Sequence, residues 1–254
     1  MFDFGNANDA QKLAISSSNG AVLITAGPGT GKTFTLVQRA IYLIQECGVK
    51  PEQILMATFT EKAAKELVTR ITNELAVRNI YVNVNEMYIG TFHSLCLRII
   101  KDNLEFTQLK KNYRLLDSFD QKYLVFRNIQ KFRNIADIEL VMPNGGAWKW
   151  AEAICGLVGT LTEELVDADA MAKDSKTEIR VLSAILKQYQ QLLTDENLID
   201  FAKIQTECYR LLKENPAILS DLQEKIHYLM IDEYQDTNYI QEQIIFMLGE
   251  KHGN

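Results

Sequence analysis

Residues 21–33 read A-V-L-I-T-A-G-P-G-T-G-K-T, an apolar stretch that ends in a glycine-rich turn. Ala21 to Thr25 are apolar or β-branched, which predicts a buried strand, and a helical pattern begins near Lys32. Three glycines in the turn allow backbone conformations in which successive N–H groups point toward a polyphosphate: Gly27, Gly29 and Gly31. The stretch therefore predicts a phosphate-binding loop.

The residues that close this loop predict how a nucleotide would be held. A helix that begins at Lys32 presents its positive N-terminal end to the phosphates, and the lysine adds a full charge for the β and γ phosphates. The Thr33 hydroxyl can ligate Mg²⁺. The strict pattern has glycine where this chain has Ala26, a small residue that weakens the match without removing it. The alternative is the strand, turn and helix of a dinucleotide-binding fold.

The composition predicts a globular protein with one large core or two modest ones, because its 254 residues are 47% hydrophobic and 24% charged. No apolar run approaches the roughly 20 residues that span a bilayer. Residues 1–5 also lack the basic and then apolar order of a signal peptide. We therefore expect a cytoplasmic protein with no membrane partner. The spacing of the cysteines predicts buried free thiols, with no zinc site or disulfide: Cys47, Cys96, Cys155 and Cys208.

The charge is unevenly distributed along the chain. The formal net charge is −6, yet residues 98–133 carry nine basic and four acidic side chains. Residues 134–254 carry ten basic and twenty-one acidic side chains. The basic segment, residues 98–133, could follow a phosphate backbone, or it could be a solvated helical face. Charge alone does not decide between the two.

Two predicted strands end in similar turns. Ile54 to Thr58 leads into Phe59 and Thr60, and Thr60 is placed to cap the next helix. Met87 to Thr91 leads into T-F-H-S at 91–94. Hydroxyl and N–H groups at a helix start bind phosphate, and an exposed Phe59 offers a face for a base. The carboxyl ends of parallel strands form one binding edge, so the two turns predict one site. The alternative is a core Phe59 and a purely structural cap.

A second pair of candidate residues follows a predicted strand at Tyr228 to Ile231, which ends in D-E-Y-Q-D-T-N. Two adjacent carboxylates at the same sheet edge as a phosphate loop predict the second half of an ATPase site. Asp232 would hold Mg²⁺ through water and Glu233 would polarise the attacking water. The alternative is a capped loop with solvated acids.

The helix predicted before the loop, at residues 8–15 with Asn8 as its cap, contributes one more candidate. Gln11 on this helix has the amide geometry that pairs with adenine in a bidentate manner. A surface glutamine with no such role is the alternative.

The alternation of strands and helices stops between residues 102 and 197. Predicted helices follow one another there, at 117–132, 148–158 and 178–193, which indicates a helical insertion in an α/β domain. Trp148 and Trp150 could stack on bases, but residues two positions apart on a helix do not share a face. We predict that both indoles lie in the core.

Five stretches together resemble, in order, the first five motifs of superfamily 1 DNA helicases of the UvrD/Rep/PcrA type. They are N-D-A-Q-K-L-A-I at 8–15, the loop at 26–33, T-F-T-E-K-A-A-K-E-L at 58–67, G-T-F-H-S-L at 90–95 and I-D-E-Y-Q-D-T-N at 231–238. The resemblance implies an α/β fold of the P-loop NTPase (RecA-like) type, a parallel sheet flanked by helices with an inserted all-helical subdomain. It divides the chain into the first part of the ATPase domain at 1–101, a helical insertion at 102–197 and a return segment at 198–254.

The resemblance also implies which residues bind. ATP would contact Gln11, Ala26, Gly27, Pro28, Gly29, Thr30, Gly31, Lys32, Thr33 and Phe34. Mg²⁺ would be held by Thr33 and Asp232, and the catalytic residues would be Glu233 and Lys32. Single-stranded DNA would follow Thr58, Phe59, Thr60, Thr91, Phe92, His93 and Ser94.

Members of this family move along single-stranded DNA with ATP, usually 3′ to 5′, and unwind duplex junctions. Their arginine fingers and second motor domain lie beyond the motifs matched here, so we expect this chain to bind Mg²⁺–ATP weakly, to hydrolyse it slowly and not to unwind DNA. Phe34 stands where the UvrD type has an adenine-stacking arginine, and it looks more like the RecB or AddA subunits. A helicase-nuclease subunit with DNA-repair partners is therefore an alternative, as is a shortened protein that only binds nucleotide or single-stranded DNA.

Overall fold

The computed structural model describes residues 2–254. The helices are α1 (Asp9–Ser16), α2 (Lys32–Gln45), α3 (Glu61–Val77), α4 (Phe92–Asp102), α5 (Ser118–Arg127), α6 (Ile129–Arg133), α7 (Ala147–Glu163), α8 (Ala168–Met171), α9 (Thr177–Asp195), α10 (Phe201–Glu214), α11 (Pro216–Lys225) and α12 (Tyr239–Gly249). The strands are β1 (Ile54–Thr58), β2 (Tyr88–Thr91), β3 (Arg114–Leu115), β4 (Leu198–Ile199) and β5 (Tyr228–Ile231). Within the described residues, none of these helices is long and apolar enough to cross a bilayer.

The chain forms two compact units. The first contains the residues up to Arg98 together with Leu212–Thr237 and Glu242–Asn254. The second contains Ile99–Leu211 and Asn238–Gln241.

A parallel sheet organises the first unit, with strand order β2-β1-β5. Thr58 of β1 is the register partner of Thr91 in β2, and Ala57 is the partner of Ile231 in β5. All five residues of β1 are buried, as expected for a central parallel strand that is covered on both faces. The three strands therefore end side by side, and the residues that follow them meet at one edge.

Helices pack their apolar stripes against this sheet. Ile41 of α2 and Ile71 of α3 are fully buried in the same core as Met56 of β1. Residues three and four positions apart lie on one side of a helix, which explains why one stripe of each helix faces the strand. The prediction of a parallel sheet flanked by helices is confirmed.

The predicted strand at Ala21 to Thr25 is absent from the sheet, and its prediction as a buried strand was wrong. The segment has no strand assignment, and Leu23 is 81% exposed. A cleft of about 1020 Å³ lies between this segment and β5, lined on its other side by residues 229–235. A strand needs a neighbour that accepts and donates its backbone hydrogen bonds, and none of the described strands pairs with this segment. Its apolar pattern is therefore not sufficient to make it a strand.

The second unit is mainly helical, with a core between α5, α7 and α9. Phe132, Ile154 and Tyr189 are fully or almost fully buried in it. The predicted helix at 117–132 is divided into α5 and α6 at Asn128. The parallel pair of β3 and β4 was not predicted, because two-residue strands carry no periodicity.

Two residues that were predicted to be buried are exposed. Trp148 is 41% exposed, whereas Trp150 packs on the helical core and donates its Nε1–H to the Pro143 carbonyl at 3.0 Å. Cys47 is exposed just after α2, although the other three cysteines are buried free thiols. Spacing on a helix shows which residues share a face, but it does not show which face another element covers.

Candidate nucleotide and DNA site

The glycine-rich loop has a conformation that depends on its glycines. Gly29 and Gly31 have φ values of +73° and +88°, in the left-handed region. A Cβ on Gly31 would also lie 2.8 Å from Gln11 Nε2, which itself donates to the Thr30 carbonyl at 3.1 Å. The other loop residues predicted to contact ATP are exposed or half-buried: Ala26, Gly27, Pro28, Lys32 and Thr33. Helix α1 thus holds the loop through one side chain.

Gln11 has a structural role that the sequence did not reveal. The predicted cap is confirmed: Asn8 Oδ1 accepts from Gln11 N, and Asn8 N donates to Gln11 Oε1, each at 2.9 Å. This reciprocal pair is a capping box. Because its amide nitrogen also holds Thr30, Gln11 links the start of α1 to the loop. Its contact with adenine stays a prediction.

Lys32 and Glu233 meet, although 201 positions separate them in the sequence. The Lys32 Nζ lies 3.1 Å from each carboxylate oxygen of Glu233. Both side chains are about one-third exposed, so the pair is accessible from solvent. Lys32 reaches this position because it begins α2, and Glu233 because it follows β5. The contact brings the phosphate loop and the acidic pair into one site.

The two adjacent carboxylates differ in electrostatic environment. Asp232 continues the β5 ladder by donating its N–H to the Ala57 carbonyl at 2.9 Å. Burial, and then the charge of Glu233, raise the pKa of Asp232. Hydrogen bonds from Gln235 and then from Lys32 lower the pKa of Glu233. Glu233 has φ +53°, a left-handed value that is uncommon outside glycine and is often found at functional sites.

The residues around this pair fit a magnesium ion that arrives with a nucleotide. Within residues 2–254, the Thr33 hydroxyl makes no hydrogen bond, and no group of three or more histidine, cysteine, aspartate or glutamate side chains could hold a metal alone. Mg²⁺ usually takes one or two carboxylates and completes its shell with water and substrate phosphates. Thr33 and Asp232 carry oxygen atoms of this kind, one at the start of α2 and one directly after β5, and a cation would relieve the unfavourable charge on Asp232.

Replacing Asp232 with asparagine should stabilise the nucleotide-free protein. The raised pKa of Asp232 means that the ionised carboxylate is less favourable in the folded chain than in the unfolded chain. Asp232→Asn removes this cost, so we expect a higher midpoint temperature of unfolding near neutral pH. The gain should shrink as the pH falls through the raised pKa of Asp232 and disappear below the ordinary value of 3.8, where Asp232 becomes protonated in both states. Thermal unfolding across this pH range measures it, and a lower midpoint for the variant at neutral pH would contradict the assignment.

The two predicted DNA turns lie next to each other. Thr58 and Thr91 are register partners, so both turns leave the sheet at the same edge. Thr60 caps α3 by accepting a hydrogen bond from Ala63 N at 3.1 Å, as predicted. Phe59 is 69% exposed, so the alternative in which this ring lies in the core is wrong. The first turn therefore presents an aromatic face and a capped helix N-terminus to solvent.

A carboxylate that the sequence analysis missed connects the turns. Thr91 Oγ1 donates to Glu61 Oε1 at 3.2 Å and accepts from Ser94 N at 3.2 Å. Ser94 Oγ in turn donates to the Thr91 carbonyl at 2.8 Å. Glu61 is the first residue of α3, where the positive helix end favours an acid. The hydroxyls of the second turn are thus ordered before any ligand is present.

Some of the predicted binding residues are turned partly inward. Thr58 is buried, and its hydroxyl donates to the Thr60 carbonyl at 3.1 Å. Burial lowers the pKa of His93, so its imidazole is neutral near pH 7 and can offer a hydrogen bond but no charge. Phe92 is half-buried beside it. Phe34 packs against the core of the first unit.

Comparisons with known proteins agree with this arrangement. Residues 7–254 match the family model of the UvrD/REP helicase N-terminal domain. The chain is 35% identical over 248 residues to the ATP-dependent DNA helicase Rep of Buchnera aphidicola, an alignment that covers 97% of this chain and 36% of that relative. It is 32% identical over 248 residues to the ATP-dependent DNA helicase PcrA of Bacillus subtilis, covering 97% of this chain and 32% of the relative.

The chain spans about a third of the length of the curated relatives that it matches, at 36% and 32%. The family match covers nearly all of the chain, and its span includes the phosphate loop, the two Thr-Phe turns and the Asp-Glu pair. The chain belongs to the UvrD/REP helicase N-terminal domain family.

Proposed function

We propose that this chain is the ATP- and single-stranded-DNA-binding motor domain of an ATP-dependent DNA helicase. In a protein of the length of its relatives, ATP hydrolysis would be coupled to movement along DNA, with 3′ to 5′ polarity. The contact between Lys32 and Glu233 carries the proposal, because it joins the two halves of an ATPase site at the edge where the Thr-Phe turns emerge.

In the proposed nucleotide site, Lys32 exchanges the carboxylate of Glu233 for the β and γ phosphates. The backbone N–H groups of the loop and the N-terminus of α2 add further donors for the same anion. Gln11 holds the loop through Thr30, and its remaining amide hydrogen and carbonyl lone pair would pair with the adenine base. Once Lys32 has moved, Glu233 becomes free to accept a proton from water.

Thr33 and Asp232 are proposed to hold the magnesium ion. When bound, the ion would neutralise negative charge that develops on the phosphates. Asp232 is rigidly placed, because its backbone continues β5 beside β1. The Thr33 hydroxyl lies on the first turn of α2, next to Lys32, so both residues approach the phosphates from the same helix end.

The DNA track is proposed to run along the two Thr-Phe turns. Phe59 offers its exposed ring to a base, and the N-terminus of α3 at Thr60 faces the phosphates. Thr91 and Ser94 donate their hydroxyl hydrogens to Glu61 and to the Thr91 carbonyl, so each would exchange this internal bond for one to a DNA phosphate. His93 contributes a neutral ring.

Replacing Phe59 with alanine should weaken the binding of single-stranded DNA by on the order of tenfold, because stacking of one base on an aromatic ring contributes about 1–3 kcal/mol. Fluorescence anisotropy of a labelled oligothymidine measures the affinity. Tyr81→Ala is the matched control, because Tyr81 is also an exposed aromatic side chain in the first unit and lies outside the turns. Equal losses in the two variants would contradict a specific role for Phe59.

Coupling between the two ligands tests the proposed function as a whole. If one domain binds both, saturating oligothymidine should change the affinity for ATP, and ATP should change the affinity for the oligonucleotide by the same factor. Titrations of a fluorescent ATP analogue, with and without the oligonucleotide, measure this factor. A chain that binds neither ligand, or binds DNA with no effect of ATP, would contradict the motor proposal.

A further inference from the structure

Glu61 differs from the other two acids of α3 in having no cationic partner. Glu66 pairs with Arg70 and Glu74 with Arg78 on the same helix. Within the part of the chain that the structure describes, Glu61 forms no ion pair with a lysine, arginine or histidine side chain. Its side chain is exposed, so its negative charge is open to any ligand that approaches the start of the helix.

Glu61 instead accepts a hydrogen bond from the second Thr-Phe turn. Thr91 Oγ1 donates to Glu61 Oε1 at 3.2 Å, a contact between residues 30 positions apart. Glu61 is also the first residue of α3, directly after the cap at Thr60. The first N–H groups of a helix have no partner inside the helix, and its positive end stabilises an anion. The carboxylate therefore lies where a hydroxyl donor and a helix N-terminus come together.

A phosphate of the DNA backbone would use the same donors. Hydroxyl groups and N–H groups at a helix start are common partners of DNA phosphates. A hydroxyl has a single hydrogen, so Thr91 can donate it to the Glu61 carboxylate or to a phosphate, but not to both. Two anions at so short a distance would also repel each other. The carboxylate and a phosphate therefore cannot both be bound at this point of the turns.

We propose that Glu61 is an internal competitor of phosphate: its carboxylate holds the Thr91 hydroxyl in the free chain and has to release it before the second turn can bind the backbone of single-stranded DNA. The inference rests on the proposed DNA track and adds a residue that weakens binding there. Because Glu61 competes with the backbone and not with the bases, it lowers the affinity for every base sequence alike.

Replacing Glu61 with glutamine tests the proposal. Glutamine has the same size and can still accept from Thr91, but a hydrogen bond to a neutral group is weaker than one to a carboxylate. The repulsion of phosphate is also lost. We expect the dissociation constant for oligothymidine, measured by fluorescence anisotropy at a fixed salt concentration, to fall by about fivefold.

The matched control is Glu86→Gln. Glu86 is an exposed acid of the first unit that also accepts one side-chain hydrogen bond from a neutral donor, Asn83 Nδ2, at 3.1 Å. It precedes β2, so it lies at the end of the sheet away from the Thr-Phe turns. This variant removes the same charge from the chain and should leave the dissociation constant unchanged. Equal gains in Glu61→Gln and Glu86→Gln would show a general effect of net charge and would overturn the proposal.

A cycle of variants separates competition for the hydroxyl from local repulsion. Thr91→Val removes the hydroxyl and keeps the shape of the side chain. In this background, Glu61→Gln should improve binding less than in the unmodified chain, because the donor for which the two anions compete is absent. An equal improvement in both backgrounds would contradict competition at Thr91. Thermal unfolding verifies the fold of Thr91→Val, since Thr91 also accepts from Ser94 N, and the comparison of Glu61→Gln with Glu86→Gln does not depend on it.

Inorganic phosphate separates this proposal from the proposed DNA track. In amide NMR spectra, phosphate should shift the N–H signals of residues 61–63 more in Glu61→Gln than in the unmodified chain. If neither protein binds oligothymidine but phosphate produces this difference, the track is wrong and the competition stands. If both proteins bind oligothymidine with equal affinity, the competition is wrong and the track stands. If neither binds the oligonucleotide and phosphate acts on both equally, or on neither, both proposals are overturned.

Discussion

Replacing Lys32 with alanine is expected to weaken the binding of Mg²⁺–ATP by about one to two orders of magnitude. The ammonium group lies at the start of α2, where it is positioned by its contact with Glu233. A hydrogen bond to a charged group contributes about 1.5–3 kcal/mol, which corresponds to a factor of roughly 10 to 150 in affinity. Titration with a fluorescent ATP analogue, followed by displacement with ATP, measures the two dissociation constants.

The control for this variant is Lys12→Ala, which removes an exposed lysine of the first unit that pairs with Asp9 on α1. It should bind nucleotide as the unmodified chain does. Because the Lys32 ion pair is partly exposed, its loss should have little effect on folding, and thermal unfolding verifies this. Equal nucleotide affinities in the unmodified chain and Lys32→Ala would contradict the assignment of the loop.

Replacing Glu233 with glutamine should affect catalysis far more than binding. Removal of a general base typically lowers a rate by about 10² to 10⁴-fold, and glutamine retains the size of the side chain while losing the ability to accept a proton. The same change frees Lys32 from its carboxylate partner, so nucleotide should bind at least as tightly as before. Single-turnover hydrolysis, with the protein in excess over radiolabelled ATP, separates the rate from the affinity.

The matched control is Glu224→Gln, an exposed acid in the first unit that pairs with Lys251. It should retain the hydrolysis rate of the unmodified chain. If Glu233→Gln also hydrolysed ATP at that rate, another group would have to activate the water. If Glu233→Gln bound ATP much more weakly, the main role of Glu233 would instead be to stabilise the conformation of the phosphate loop.

The convergence of the site was predictable because it depends on a general property of parallel sheets. Strands β1, β2 and β5 were each recognised from short apolar runs, and parallel strands end at a common edge. The meeting of the Thr-Phe turns with Glu233 follows from this geometry. Lys32 reaches Glu233 from the start of α2, although the segment before it is not a strand of the sheet. The cap at Thr60 was predictable for a local reason, since a threonine before a helical pattern accepts from the backbone within one turn.

The segment at Ala21 to Thr25 shows where local pattern is insufficient. Its composition is that of a strand, but a strand is completed by hydrogen bonds to a neighbour that the local sequence does not specify. Here the segment lies across a cleft from β5 and pairs with none of the described strands. A run of apolar residues indicates a tendency to be buried. The strand that would complete its backbone hydrogen bonds belongs to another part of the chain, so the run alone does not predict the pairing.

Side-chain exposure in the helical unit was similarly unpredictable from spacing. Trp148 and Trp150 were assigned together to the core, but of the two only Trp150 packs against the helical core. Trp148 instead completes a cluster with residues of α5 that lie more than twenty positions earlier. Glu61 was missed for the same reason, because its partner Thr91 is 30 positions away. Contacts with other helices and strands determine whether these side chains are exposed and which partners they have.

The Mg²⁺ dependence of ATP binding tests most directly whether the loop and the Asp-Glu pair form one site. Calorimetric titration of the chain with ATP should give a lower dissociation constant with Mg²⁺ than with a chelator, because Thr33 and Asp232 would then contribute ligands. The gain should disappear in Asp232→Asn. The same dissociation constant with and without Mg²⁺ in the unmodified chain, or an undiminished gain in the variant, would contradict a shared nucleotide and metal site.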